Sequence, residues 1–128
     1  MISIRMSIGA FLIAAMAGCG GGYKGSSPTS PSTPSSPTAV NVTIAQGAST
    51  LGASAFVPNP VTISAGTTVT WINTDTASSS HDVAADNGSF DAGTMTNGAR
   101  FSFTYQTRGT FPYHCLRHPG MVGTVVVQ

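Results

Sequence analysis

The chain has 128 residues, 41% of them apolar and only 7% charged, with a formal net charge of +1. So few charges exclude a coiled coil, a long solvated helix and a charged disordered tail, and the near-neutral balance offers no basic face for nucleic acid. The two cysteines, Cys19 and Cys115, lie in unlike surroundings, which excludes a disulfide-rich mini-protein and a cysteine-based zinc finger.

Residues 1–19 read as an export signal. Arg5 is the only charge ahead of an apolar run at residues 8–17. That run is shorter than the roughly twenty residues a membrane-spanning helix needs. Met16-Ala17-Gly18-Cys19 resembles a bacterial lipoprotein lipobox, with Met16 where Leu is more usual. The resemblance implies that Cys19 is lipidated and becomes the first mature residue, anchoring the protein to a membrane at the periplasm or outer cell surface. Plain cleavage, with Cys19 incidental, would also take the chain out of the cytoplasm.

Residues 20–38 read as a tether, with four Gly, six Ser, three Thr and four Pro. Pro28, Pro31, Pro34 and Pro37 recur at every third position, the period of polyproline II. Such a segment buries no apolar surface and stays solvated. At about 3.1 Å per residue it reaches up to roughly 60 Å.

Residues 39–128 form the folded domain, with three Arg, no Lys and four Asp, a formal charge of −1. Strong electrostatic steering of partners is not indicated. The strand signals come in order. Val40, Val42 and Ile44 alternate with Asn41 and Thr43, a period of two. Residues 61–63 follow the Pro58-Asn59-Pro60 turn, and residues 67–73 are rich in β-branched side chains. Residues 81–84 predict a short strand, and residues 86–98 a Gly/Asn/Asp-rich loop with room for one helical turn. Phe101, Phe103 and Tyr105 alternate with Ser102 and Thr104, which puts three aromatics on one face. Residues 110–115 and 123–128 complete the set. Seven to eight short strands with Gly, Pro and Asn between them predict an all-β, antiparallel sandwich. Trp71, Phe101 and Phe103 are assigned to its core, and Met95 to packing near the site described next.

Chemistry concentrates in Tyr113-His114-Cys115-Leu116-Arg117-His118-Pro119-Gly120-Met121. Thiol, imidazole and thioether recur here at steps of three. Cys115 has no cysteine partner within the domain, and a thiolate with a thioether selects copper. A continuous strand cannot aim all three at one ion, because odd spacings point to opposite faces. Pro119 and Gly120 supply the turn of a loop that can. A blue-copper centre needs a second histidine. His114, adjacent to Cys115, is turned to the other face, whereas His81, just past the strand ending at Asn73, reaches the same end of a sandwich. The candidate metal ligands are therefore His81, Cys115, His118 and Met121.

With those residues in view, the domain resembles a small cupredoxin of the plastocyanin, amicyanin and pseudoazurin kind. One match is Val69-Thr70-Trp71-Ile72-Asn73-Thr74-Asp75 leading to His81-Asp82-Val83. The other runs from Gly109-Thr110-Phe111-Pro112-Tyr113-His114-Cys115 through Met121 to Val122-Gly123-Thr124-Val125. The Cys-x2-His-x2-Met spacing is that of the short-loop, amicyanin-like members. The resemblance implies a Greek-key sandwich holding one type 1 copper, with His81, Cys115 and His118 equatorial and Met121 axial. It implies that His118 is the electron port, within an apolar rim of Leu116, Pro119 and Gly120. Two departures stand out. Asp82 replaces the Asn that follows the first histidine in much of the family and helps hold the cysteine loop; here the Asp82 backbone is expected to serve, and a carboxylate beside the metal to lower the reduction potential. Ser78-Ser79-Ser80 stands where a Pro often precedes that histidine.

The function expected is one-electron transport, not enzymatic catalysis, by a monomer that docks transiently with redox partner proteins. The alternative is an extracytoplasmic copper-handling protein for storage or delivery. A plain adhesive sandwich would take up no copper. Zinc also accepts Cys and His donors. Three serines before His81 lack the strand–turn–helix elbow of a nucleophile, a thiol enzyme has no use for the added Met, and a multicopper enzyme needs more histidines than three.

Overall fold

The alternation of β-branched and polar residues becomes strands within the part of the chain that a computed structural model describes, residues 38–77 and 80–128. The segment expected to be an export signal, 1–19 with Cys19, and the expected tether as far as residue 37 lie outside the described residues, as do Ser78 and Ser79. Eight strands run in order: β1 (Ala39–Ile44), β2 (Phe56–Val57), β3 (Val61–Ile63), β4 (Thr67–Asn73), β5 (Ala84–Ala85), β6 (Arg100–Tyr105), β7 (Gly109–His114) and β8 (Val122–Val127). The only helical elements among the described residues are two 3-10 turns, Ala48–Thr50 and Gly52–Ser54.

The strands form two four-stranded sheets, ordered β2-β1-β4-β6 and β3-β8-β7-β5. The sandwich is as expected, but its sheets are mixed. β1 pairs with β4 and β3 with β8 in parallel, while the other pairs are antiparallel. Side-chain period reports which face of a strand is buried and says nothing of its neighbour's direction. The chain crosses between the sheets from β2 to β3 and from β3 to β4, so β1 and β4 meet through a long connection, as a parallel pair requires. These crossings are consistent with Greek-key connectivity.

β4 shows the two-sided logic most clearly. Thr67, Val69, Trp71 and Asn73 point inward and are buried. On its outer face Thr68 and Thr70 share hydroxyl hydrogen bonds with Thr104 and Ser102 of β6. Facing the inner side of β4 are Val61 and Ile63 of β3, Tyr113 of β7, and Val125 and Val127 of β8. Phe101 and Phe103 pack half-buried against this core, and Tyr105 is buried in it.

Two short elements differ from expectation. β2 spans two residues, too few for a period to register. The segment predicted as a strand at 81–84 pairs as β5 only at Ala84 and Ala85, with His81 forming an isolated bridge to Met95. The loop at 86–98 contains no helical turn. It returns along this segment through bridges at Asp91 and Met95 and inserts Phe90 between the sheets, 4.8 Å from the Phe103 ring and 5.4 Å from Trp71.

Candidate metal centre

The site is built at one end of the sandwich from two chain segments. The first leaves β4. Asn73, fully buried, accepts the Asp75 N–H on Oδ1 and donates from Nδ2 to the Met95 carbonyl. His81 and Met95 then exchange backbone hydrogen bonds of 3.1 and 2.8 Å. His81 is thereby held on both sides of its backbone before its ring makes any contact. Met95 is buried here, as expected, and its carbonyl also anchors the segment.

The second segment is the loop joining β7 to β8. Cys115 follows directly after β7, and Met121 directly precedes β8. The Cys115 N–H donates to the Met121 carbonyl, 3.0 Å, and the Met121 N–H to the His118 carbonyl, 2.8 Å. Pro119 and Gly120 occupy the turn between. The seven residues thus fold back on themselves, and both Cys115 and Met121 are fully buried.

The two segments bring three of the four expected donors together. One ligand atom from each of His81, Cys115 and His118 lies within 4.8 Å of the other two. The two imidazole Nδ1 atoms are 3.2 Å apart, and the sulfur is 3.7 Å from His118 Nδ1. His81 is buried and His118 half-buried. Met121 stands on the same closed loop. His114 is turned away, its Nδ1 bonded to the Asp86 carboxylate on the partly exposed outer side. Burial pushes the Cys115 thiol up from its ordinary value, partly offset by backbone hydrogen bonds from Asp82, Arg117 and His118. A soft cation that takes the thiolate would displace that proton. Two nitrogens and one sulfur converging at hydrogen-bond spacing, in a buried niche, fit the donor preferences of copper.

Two carboxylates complete the surroundings. Asp82 holds the ligand loop with its backbone, as expected, through the Cys115 thiol, and with its side chain as well: Oδ1 accepts the Leu116 N–H, and Oδ2 lies 3.6 Å from Arg117 Nε. Arg117 in turn donates to the Thr94 hydroxyl. Asp75 was not singled out by its sequence. It is fully buried, and its Oδ2 lies 2.9 Å from His81 Nε2. An acidic residue at a strand end reads as an ordinary turn residue, and its six-residue separation from His81 carries no recognisable period.

A model of the copper binding proteins of the plastocyanin/azurin family matches residues 42–128. A plastocyanin from Scenedesmus fuscus is 36% identical over 101 residues, covering 69% of this chain and 100% of that protein. An amicyanin from Paracoccus denitrificans is 38% identical over 69 residues, 52% of this chain and 53% of that protein. Among solved structures, a purple cupredoxin from Nitrosopumilus maritimus superposes with a TM-score of 0.63 at 30% identity, covering 70% of this chain and 99% of that one. An amicyanin variant in its Cu(I) form does so with a TM-score of 0.56, also at 30% identity, over 70% of this chain and 82% of that one.

Proposed function

The chain belongs to the plastocyanin/azurin family of copper-binding proteins, and from that premise we propose that it is a one-electron carrier, not an enzyme, working outside the cytoplasm between redox partner proteins. The domain takes one type 1 copper. In this reading His81 and His118 would hold the metal through Nδ1, Cys115 through its thiolate and Met121 through a weakly binding thioether. The observation that carries it is the meeting of His81, Cys115 and His118 donors within 4.8 Å on a loop closed by its own backbone hydrogen bonds. Copper, when bound, supplies a one-electron Cu(I)/Cu(II) couple.

The chain's own residues set the conditions for that couple. The closed loop and the His81–Met95 bridge hold the donors on paired strands, and a close-packed interior allows them little rearrangement when the charge changes. Cys115, Met121 and His81 are sealed from solvent, and only His118 reaches toward it. Around His118 the ligand loop presents Leu116, which is 56% exposed, with Pro119 and Gly120 also exposed. Gly52 lies against Gly120, and Leu51 beside it is likewise exposed. Such a small apolar rim suits brief electron-transfer encounters, which use little interface area. A monomer anchored through Cys19, with the proline-rich tether as spacer, would carry the rim to partners at a membrane.

The test is a visible absorption titration of the copper-free protein with Cu(II), alongside Cys115→Ser. The expected result is an intense blue thiolate-to-copper band that saturates at one equivalent and is absent from the variant. A folded protein with reduced Cys115 and no such band would overturn the carrier reading. Copper that a competing chelator removes on each redox cycle would favour copper handling instead.

A further inference from the structure

Behind the first histidine lies a buried carboxylate that backbone N–H groups hold in place. Asp75 Oδ1 accepts the N–H groups of Gly47 at 3.0 Å and Ala77 at 2.9 Å. Oδ2 accepts the Ala48 N–H at 3.3 Å and faces His81 Nε2 at 2.9 Å. Asp75 and His81 are both fully buried. Resting on the copper reading above, we propose that Asp75 is a positioning residue of the metal centre: it selects the His81 tautomer that leaves Nδ1 open to the metal, and its negative charge lowers the reduction potential.

The tautomer follows from counting donors. A neutral imidazole carries one N–H and one lone pair. A carboxylate that already receives three backbone N–H groups can only accept from His81, so the imidazole proton sits on Nε2. Nδ1, which faces His118 Nδ1 and shares the niche with Cys115 Sγ, is left with its lone pair. The opposite tautomer would place a proton where the metal goes and set two lone pairs against each other at Nε2 and Oδ2. Outer partners of ligating histidines act in this way in metal sites generally. The backbone N–H groups fix the carboxylate in turn, since Gly47 and Ala48 belong to the turn after β1 and Ala77 to the stretch leading to His81.

The charge acts through the same geometry. Asp75 stands one imidazole ring from the niche, buried, where screening by salt is weak. A negative charge at that place favours Cu(II) over Cu(I). Asp82, the other nearby carboxylate, faces the Arg117 guanidinium, so its field on the site is partly cancelled. Asparagine cannot replace Asp75 neutrally. Its amide NH2 would confront either Gly47 and Ala77 or Ala48 and His81, and the second choice forces the His81 proton onto Nδ1.

The intact chain and Asp75→Asn are compared. In copper-free wild type, long-range proton–nitrogen NMR of the His81 ring is expected to place the proton on Nε2, and Cu(I) loading to leave it there. In Asp75→Asn the potential is expected to rise, with Cu(II) disfavoured relative to Cu(I) about tenfold, or about 59 mV for one electron. A copper-free wild type with the proton on Nδ1 overturns the proposal without any variant. So does a folded Asp75→Asn whose potential and blue band match wild type, which would make Asp75 a structural staple only. Absence of a blue band from wild type would sink the copper reading while the ring proton still reports on the tautomer, so the two failures are distinguishable.

Discussion

Asp82 shows how one side chain couples the two halves of the metal site. It immediately follows His81 in sequence, yet its carboxylate accepts the N–H of Leu116, the residue after Cys115. Asp82→Ala leaves that part-buried donor without its acceptor and frees Arg117, at a cost of about 1–3 kcal/mol. Asp82→Asn keeps an acceptor and is expected to lose less than half as much. Urea denaturation of the two copper-free variants checks the order; equal losses would mean that the Arg117 contact, not the Leu116 hydrogen bond, dominates. The candidate ligands were legible because their residue types are scarce: one cysteine in the domain and three histidines in the chain. Asp75 was not, because an aspartate past a strand end is commonplace; Asp82 stood out by its place after His81, but its side-chain hydrogen bond reaches a partner 34 residues away that no local pattern marks.

At the scale of elements, β7 and β8 are the frame on which the ligand loop is strung. Their register sets Tyr113 opposite Gly123, and the Tyr113 ring lies over that glycine. A Cβ at position 123 would stand 2.3 Å from Tyr113 Cζ and 2.6 Å from Cε2. The ring has little room to retreat, since Phe56 packs edge-on at 4.9 Å and Trp71 at 5.3 Å. Gly123→Ala is therefore expected to destabilise the fold by about 1–3 kcal/mol through overpacking. That lowers the melting temperature by roughly 4–8 °C per kcal/mol in a domain of this size. A thermal melt within 2 °C of wild type, a bound set at about half that lower figure, would show that the strand pair gives way more easily than its packing indicates. The glycine's place in the Gly-Thr-Val-Val-Val strand was readable in the sequence. Its reason was not, because close approach to an aromatic ring ten residues away exists only once the register is set.

For the molecule as a whole, the aromatic core links stability to alkaline pH. Burial pushes the Tyr113 hydroxyl up to about 12, and Tyr105 is shifted in the same direction for the same reason. In the unfolded chain a tyrosine ionises near about 10. Between those values the unfolded state has lost the proton and the folded state retains it, so protons bound in the folded state exceed those in the unfolded state and stability falls as pH rises. The contribution is complete below about 10 and drains away toward 12. Urea midpoints measured from pH 9 to 12 should decline, and Tyr113→Phe should flatten the decline; an unchanged slope in that variant would assign the loss to Tyr105 or to other groups. The alternation along β1 and the aromatic face of β6 were visible as period two. The two parallel pairings were not, since direction depends on where the chain crosses from one sheet to the other.

By itself the sequence determined the class of this protein: an all-β domain, a copper-type donor set, and the identity of its candidate ligands. Local alternation and rare residue types carry that information, and both survive without knowledge of the fold. Only the tertiary structure decided how those donors are oriented, with Asp75 behind His81, Asp82 clasping the Cys115 loop, and Gly123 yielding space to Tyr113. Each of these depends on residues remote in the chain meeting at a few ångströms, and such meetings are created by sheet pairing and close packing, which no local pattern of residues encodes.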